Sequence, residues 1–245
     1  MSITVVAPFL NERIFVKAWL ANVSKFADEV ITADTGSNDG TRELLEQAGV
    51  RILDERRGEL HNAYKLWNTG REGEVRNRLK AECKTDWIVP LDLDELVAKD
   101  FISFVQKVDK KSSKFYFARF VHLMFWQDLR TLRKRSLRPL LFFHGRFYPL
   151  RNWRGKYPNK IPRLFRNIPE INYSTDPKHC VLQYKNFGRL SYYLPGMCRN
   201  SEIPFYHLHY AFKGCKNGNM DWELGQPVPT CSYTGGFPPE IGLLV

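Results

Sequence analysis

Trp87-Ile88-Val89-Pro90-Leu91-Asp92-Leu93-Asp94-Glu95 carries a buried-type apolar strand directly into two carboxylates separated by one residue. If the chain leaves strand geometry after Leu91, Asp92 and Asp94 can converge on one divalent cation. Hard oxygen ligands suit Mg²⁺ or Mn²⁺, and such ions are usually held jointly by one or two carboxylates and a substrate diphosphate. An Asp-x-Asp alone is a common pattern. Its position at the end of a buried strand gives it weight.

Upstream, strand and helix patterns alternate. Ile3 to Ala7 is a short β-branched run, and Asn11-Glu12 opens a segment with Phe15, Trp19, Val23 and Phe26 at helical spacing, Asn11 being the expected N-cap. Val30 to Ala33 reads as a second strand, Thr41 to Ala48 as a helix ended by Gly49, and Val50 to Leu53 as a third strand. Val75, Leu79 and Cys83 mark a further helix before the Trp87 strand. This alternation predicts an α/β fold with a mainly parallel, doubly wound sheet. Beyond Lys110 the pattern changes to strand-like runs around Phe115, Phe117, Phe120 and Leu140 to Phe143, then a tail rich in Pro, Gly, Tyr and His. We therefore divide one domain into residues 1–110, a ligand-binding half, and 111–245, a basic, strand- and loop-rich half expected to add strands to the same sheet.

Composition bounds the function. The chain has 245 residues and 43% hydrophobic content, enough for an ordinary core. No apolar run approaches the roughly 18 residues of a membrane span, and Met1-Ser2-Ile3 leads directly into a strand, so a soluble, cytoplasmic protein is expected. Five cysteines, an odd number, argue against a secreted disulfide framework, and the lack of a close Cys-x-x-Cys pair argues against a structural zinc site. A net charge of +11 points to acidic partners.

In an open α/β sheet, ligands bind outside the carboxyl ends of the strands. Polar groups follow each early strand here: Asn11 and Glu12, then Asp34-Thr35-Gly36-Ser37-Asn38-Asp39-Gly40-Thr41, then Asp54, then Asp92 and Asp94. Each segment alone reads equally as turn and cap chemistry. In combination they resemble a family 2 glycosyltransferase of the GT-A fold. Val6-Ala7-Pro8-Phe9-Leu10-Asn11-Glu12 is similar to that family's opening strand, residues 34–41 to its Asp-x-Gly-Ser-x-Asp-Gly-Thr signature, and Arg76-Asn77 with Leu91 to Glu95 to its Arg-Asn helix and metal motif. The likeness continues more weakly through Ile161 to Asn167 and His179.

The resemblance implies an enzyme that moves a sugar from a nucleotide-diphosphate donor, a UDP-sugar by family preference, to an acceptor hydroxyl with inversion. By the same resemblance, Pro8 and Glu12 contact the nucleoside, Asp34 the base, Arg76 the nucleotide or its phosphates, and Asp92 and Asp94 the metal and diphosphate, with Asp94 the direct ligand of Mn²⁺ or Mg²⁺. A histidine of the second half completes such sites in the family. His209 is the choice here, with His207 the alternative, although packing or solvation accounts for both equally well. Where related sequences read His-Glu, this chain reads His179-Cys180, which leaves Asp176, Glu202 and Asp221 as candidate bases.

Between Leu129 and Pro169 stand twelve Lys and Arg and no Asp or Glu. Arg130, Arg133, Lys134, Arg135, Arg138, Arg146 and Arg154 alternate with aromatics including Trp153. Cations that track phosphates beside aromatics that receive unstacked bases suit a polyanionic acceptor, and duplex DNA with hydroxymethylated bases ranks narrowly first. A lipopolysaccharide, polysaccharide or protein acceptor is the alternative, and so is a solvated cationic face over an aromatic core. From another class, a nucleotidyltransferase or an inactive nucleotide- or nucleic-acid-binding module also fits the sheet.

Overall fold

The computed structural model describes residues 1–55, 71–108, 114–125, 139–143, 146–149, 160–175, 180–189, 194–207, 220–221 and 226–227. Strand β1 (Ile3–Phe9) is the spine of the sheet, with β2 (Glu29–Asp34) on one side and β4 (Trp87–Pro90) on the other, both parallel to it. Outside β2 lies β3 (Arg51–Asp54), also parallel. Sequential strands thus run β3-β2-β1-β4, and the order reverses between β1 and β4. In open α/β sheets such a reversal is where ligands bind, outside the carboxyl ends of the strands.

The second half adds strands to the same sheet, as expected. Next to β4 come β9 (Lys160–Arg166), β6 (Phe115–Phe125) and β12 (Cys198–His207), and the edge beyond β12 is β5 (Glu95–Val97) of the first half. The β4–β9, β9–β6 and β12–β5 pairings are antiparallel and β6–β12 is parallel. From β6 the sheet extends to β7 (Pro139–Phe143) and β8 (Arg146–Pro149). Two hairpins stand apart, β10 (Ile171–Tyr173) with β11 (Leu182–Tyr184), and β13 (Met220–Asp221) with β14 (Gln226–Pro227).

Period-2 alternation along β1 divides the core. Val5, Ala7 and Phe9 face one layer while Val6 faces the other. Helix α1 (Arg13–Val23) covers the first face with Phe15, Val16, Trp19 and Val23, all buried at i, i+3/i+4 spacing. Each such large side chain contributes about 1.5–3 kcal/mol on burial. Helix α2 (Thr41–Gln47) adds Leu45 to the same face, and α4 (Asp100–Lys107) adds Phe101 and Val105. The opposite face is covered by α3 (Arg71–Glu82), through Val75 and Leu79, together with the β10–β11 hairpin. No described helix is long and apolar enough to cross a membrane.

One local expectation is corrected. Asn11 does not cap α1: Glu12 is the N-cap residue and makes no side-chain capping bond. Asn11 instead adopts a left-handed backbone (φ 55°), its N–H donating to Ser37 Oγ at 3.0 Å and its Oδ1 accepting from Asn38 N–H at 2.9 Å. It joins the loop after β1 to the loop after β2, a role available to Asn because its short amide tolerates that region.

Helix α3 is clamped to the hairpin backbone. Asn77 Nδ2 donates to the Tyr173 carbonyl at 2.8 Å, and Tyr173 N–H donates to Asn77 Oδ1 at 2.7 Å. One turn earlier Gly73 lies against Ser174, whose carbonyl oxygen would stand 2.0 Å from a Cβ at that position. Backbone cannot yield as a flexible side-chain end can. Gly73→Ala is therefore expected to lower folding stability by about 1–3 kcal/mol, the usual cost of overpacking, read as a lower urea midpoint at unchanged m-value.

Candidate active site

Polar residues stand at the carboxyl ends of the four parallel strands around the β1–β4 switch point. At the end of β1 Pro8 is paired with Ala33, and Phe9, Asp34 and Asp54 stand in one row across β1, β2 and β3. Asn11 and Glu12 follow β1, and Asp92 and Asp94 follow β4. The first two loops are tied together: Thr35 N–H and Oγ1 both donate to the Phe9 carbonyl (3.1 and 2.8 Å), Glu12 N–H donates to Thr41 Oγ1 (2.9 Å), and Arg13 N–H donates to Asp39 Oδ2 (3.1 Å).

Asp34 is fully buried. Its Oδ1 accepts from Gly36 and Ser37 N–H groups at 3.0 and 2.8 Å, shaping the turn in which Gly36 takes φ 120°. Its Oδ2 accepts from Arg42 Nη1 at 3.2 Å. A carboxylate offers about four acceptor sites, so the turn occupies most, not all, of this group. Arg42 also reaches Glu46 (2.8 Å) and Asp54 (3.8 Å).

Around the Asp-x-Asp turn, charge is held by two buried guanidinium groups. Arg76 of α3 donates through Nη2 to both Asp92 oxygens at 3.0 Å and through Nε to Glu72 Oε1 at 2.7 Å, with the Tyr173 ring 5.9 Å away. Burial works against the Arg76 charge, but Asp92 and Glu72 outweigh it and hold the group cationic well above its ordinary range. Burial also raises the Glu72 carboxyl, an effect that Arg76 opposes. Arg163 of β9 donates to the Pro90 carbonyl at 3.1 Å and to Glu95 Oε1 at 2.7 Å. Asp94 is 7% exposed.

Among the described residues no cluster of three or more His, Cys, Asp or Glu forms a metal cage. Mg²⁺ and Mn²⁺ need only one or two protein carboxylates when a diphosphate supplies the remaining oxygens, so the chemistry of Asp92 and Asp94 would suit such an ion. His207 is the last residue of β12, paired with Glu95 on β5 and with His122 on β6. The backbone thus brings His207 to the Asp-x-Asp turn, while His209 lies outside the described residues.

Of the candidate bases, Asp176 lies outside the described residues, Glu202 is on β12, and Asp221 is on β13. Of the acceptor candidates, Arg146 begins β8; Arg130, Arg133, Lys134, Arg135, Arg138, Trp153 and Arg154 lie outside the described residues. Two other cations of the basic stretch face inward: Arg163 to Glu95, and Arg166 over the Trp87 ring at 4.9 Å. Glu72, Arg163 and Glu95 were not anticipated as site residues. The i,i+4 spacing of Glu72 and Arg76 is a readable signal; the pairing of residues 95 and 163 leaves none.

Cys180 is partly buried beside Glu72, Arg76 and Asp92. Burial pushes its thiol up to about 12, with Glu72 and Asp92 adding to the effect and Arg76 opposing it. A thiol held protonated is a poor base and nucleophile at neutral pH. The native state keeps this proton between pH 9 and about 12, where an unfolded chain loses it, so the group's contribution to stability falls as pH rises through that window. Cys180→Ser is expected to lessen the fall in thermal midpoint above pH 9, and alkylation of native Cys180 by iodoacetamide at pH 8 is expected to be slow.

Several solved structures are similar to this chain. Staphylococcus aureus TarS (residues 1–349) superposes with a TM-score of 0.51 at 15% identity, covering 84% of this chain and 60% of that one. Glucosyl-3-phosphoglycerate synthase from Mycobacterium tuberculosis, solved with Mn²⁺, UDP-glucose and phosphoglyceric acid, gives 0.34 at 21% identity over 49% of this chain and 43% of that one. Mannosyl-3-phosphoglycerate synthase from Rubrobacter xylanophilus gives 0.39 at 18% identity, over 49% and 40%. The chain therefore spans less than two thirds of each of these chains. No curated protein matches it. The likeness to TarS concerns the fold, a mixed α/β GT-A arrangement. The glycosyl transferase family 2 profile matches residues 4–171, more than half of the 245, and the chain belongs to that family.

Proposed function

We propose that the protein is a metal-dependent glycosyltransferase that takes a sugar from a UDP-sugar and transfers it with inversion to a hydroxyl of a polyanionic acceptor. The observation that carries this reading is the meeting of three parallel strand ends, with Glu12, Asp34, Asp92 and Asp94, at the point where strand order reverses. Residues 1–110 bind the donor, and 111–245 bind the acceptor and supply the histidine, His207 being favoured by its pairing with Glu95.

Asp34 recognises the base by accepting an imide N–H. Arg42, 22% exposed at its side chain, has to give way for this contact. Pro8 and Glu12 line the nucleoside. Asp94 and Asp92 hold the cation that, when bound, supplies Lewis acidity to the leaving diphosphate. Arg76 orients Asp92, a positioning role favoured over direct phosphate binding because its donors already meet Asp92 and Glu72. The base that takes the acceptor proton is sought among Asp176, Glu202 and Asp221, the raised Cys180 thiol being unsuited to it. Asp94→Asn is expected to reduce donor turnover by at least about a hundredfold, as expected when transition-state electrostatics are lost, while leaving the circular dichroism spectrum unchanged. Excess chelator should act likewise on the wild type. Full activity in chelator contradicts the metal role.

The basic stretch supports a polyanion, and hydroxymethylated DNA is the acceptor we place first. Neutralising each phosphate of duplex DNA releases counterion and gives a log–log salt slope near −0.9 per contact. Gel-shift titration at several salt concentrations is expected to show such a slope, and charge reversal at Arg133, Lys134 and Arg135 together to flatten it while donor hydrolysis continues. Absence of both DNA binding and transfer assigns the acceptor to the saccharide or protein class.

A further inference from the structure

The turn after β4 is held from below by a buried pair contributed by two distant strands. Arg163 is 8% exposed and Glu95 2%. The Arg163 guanidinium forks between the Pro90 carbonyl, the last residue of β4, and Glu95 Oε1, the first residue of β5. Glu95 then grips Asp92 by its backbone: Oε2 accepts the Asp92 N–H at 3.1 Å, and the Glu95 N–H donates to the Asp92 carbonyl at 2.9 Å. On the other flank Trp19 Nε1 donates to the Leu91 carbonyl at 3.1 Å. With Arg76 on the Asp92 carboxylate, that residue is fixed at N–H, C=O and side chain together.

We infer that Arg163 and Glu95 are positioning residues for the cation-binding turn, setting the separation of the Asp92 and Asp94 carboxylates without touching ligand. The inference rests on the proposed function, since it assigns a metal to that turn. It also gives Arg163 a task different from the polyanion contacts suggested by its neighbours in the basic stretch. A planar guanidinium can hold two acceptors in a fixed fork; a lysine ammonium is a compact point charge that cannot reproduce it. Outer groups that orient metal-binding carboxylates typically govern metal affinity by about 10- to 100-fold.

The test is calorimetric titration of UDP into the full chain, in chelator and over a range of Mn²⁺ concentrations. For Arg163→Lys the Mn²⁺ concentration giving half-maximal enhancement of UDP binding should rise by about 10- to 100-fold, while UDP affinity in chelator stays that of the wild type. Glu95→Gln, close to isosteric, should shift the Mn²⁺ requirement in the same direction and decides the matter alone if Arg163→Lys does not fold. An unchanged Mn²⁺ requirement in the folded variants overturns the inference and leaves the proposed function standing. An equal loss with and without Mn²⁺ overturns it too, because general loosening of the site acts on both. A wild type whose UDP binding ignores Mn²⁺ overturns the proposed function and this inference with it.

Discussion

Negative charge gathered at the end of a buried strand has to be balanced inside the protein, and two guanidinium groups do so. Asp92, Asp94 and Glu95 follow β4 within five residues, all at least three-quarters buried by side chain or residue. Arg76 meets Asp92 from the helix layer, and Arg163 meets Glu95 from the neighbouring strand. Removing one member of a buried ion pair typically costs about 3–5 kcal/mol, so these cations are conditions for the turn's shape. Much of the architecture serves to deliver them. Helix α3 needs the Gly73 contact and the Asn77 clamp to sit where Arg76 can reach, and β9 must lie against β4 for Arg163 to bridge β4 and β5.

This dependence explains why the two halves form one sheet. Strands β4 and β5 are separated by only four residues, yet β9, β6 and β12 come between them in the pairing order. Five peptide links reach at most about 18 Å, and four strand spacings in a flat sheet come to about 19 Å. The sheet must curl for the connection to close, and the Arg163 fork spans the closure. The second half thereby helps to shape the turn that carries Asp92 and Asp94.

The local features were readable from sequence because they depend on neighbours in the chain. Apolar runs marked β1 to β4 to within two residues, Phe15, Trp19 and Val23 marked the buried face of α1, and Gly49 marked the end of α2 with φ 75°. The loop after β2 was legible as a motif. What pairs with what across 68 positions was not: nothing in Arg163 distinguishes it from the other cations of its stretch, and only the β4–β9 contact separates its role from theirs. Asn11 shows the same limit on a smaller scale. Its composition suits a helix cap, and a partner 27 residues away takes the side chain instead.

The central claim is that a nucleotide and a divalent ion share the edge formed by β1, β2 and β4. Its most direct measurement is a crystal structure grown with UDP and Mn²⁺, with anomalous diffraction collected at the manganese edge. The account predicts one strong anomalous peak bound by Asp94 or Asp92 and the diphosphate, with the uracil beside Asp34. A manganese peak remote from both aspartates, or uracil bound away from the β1–β2 edge, contradicts it.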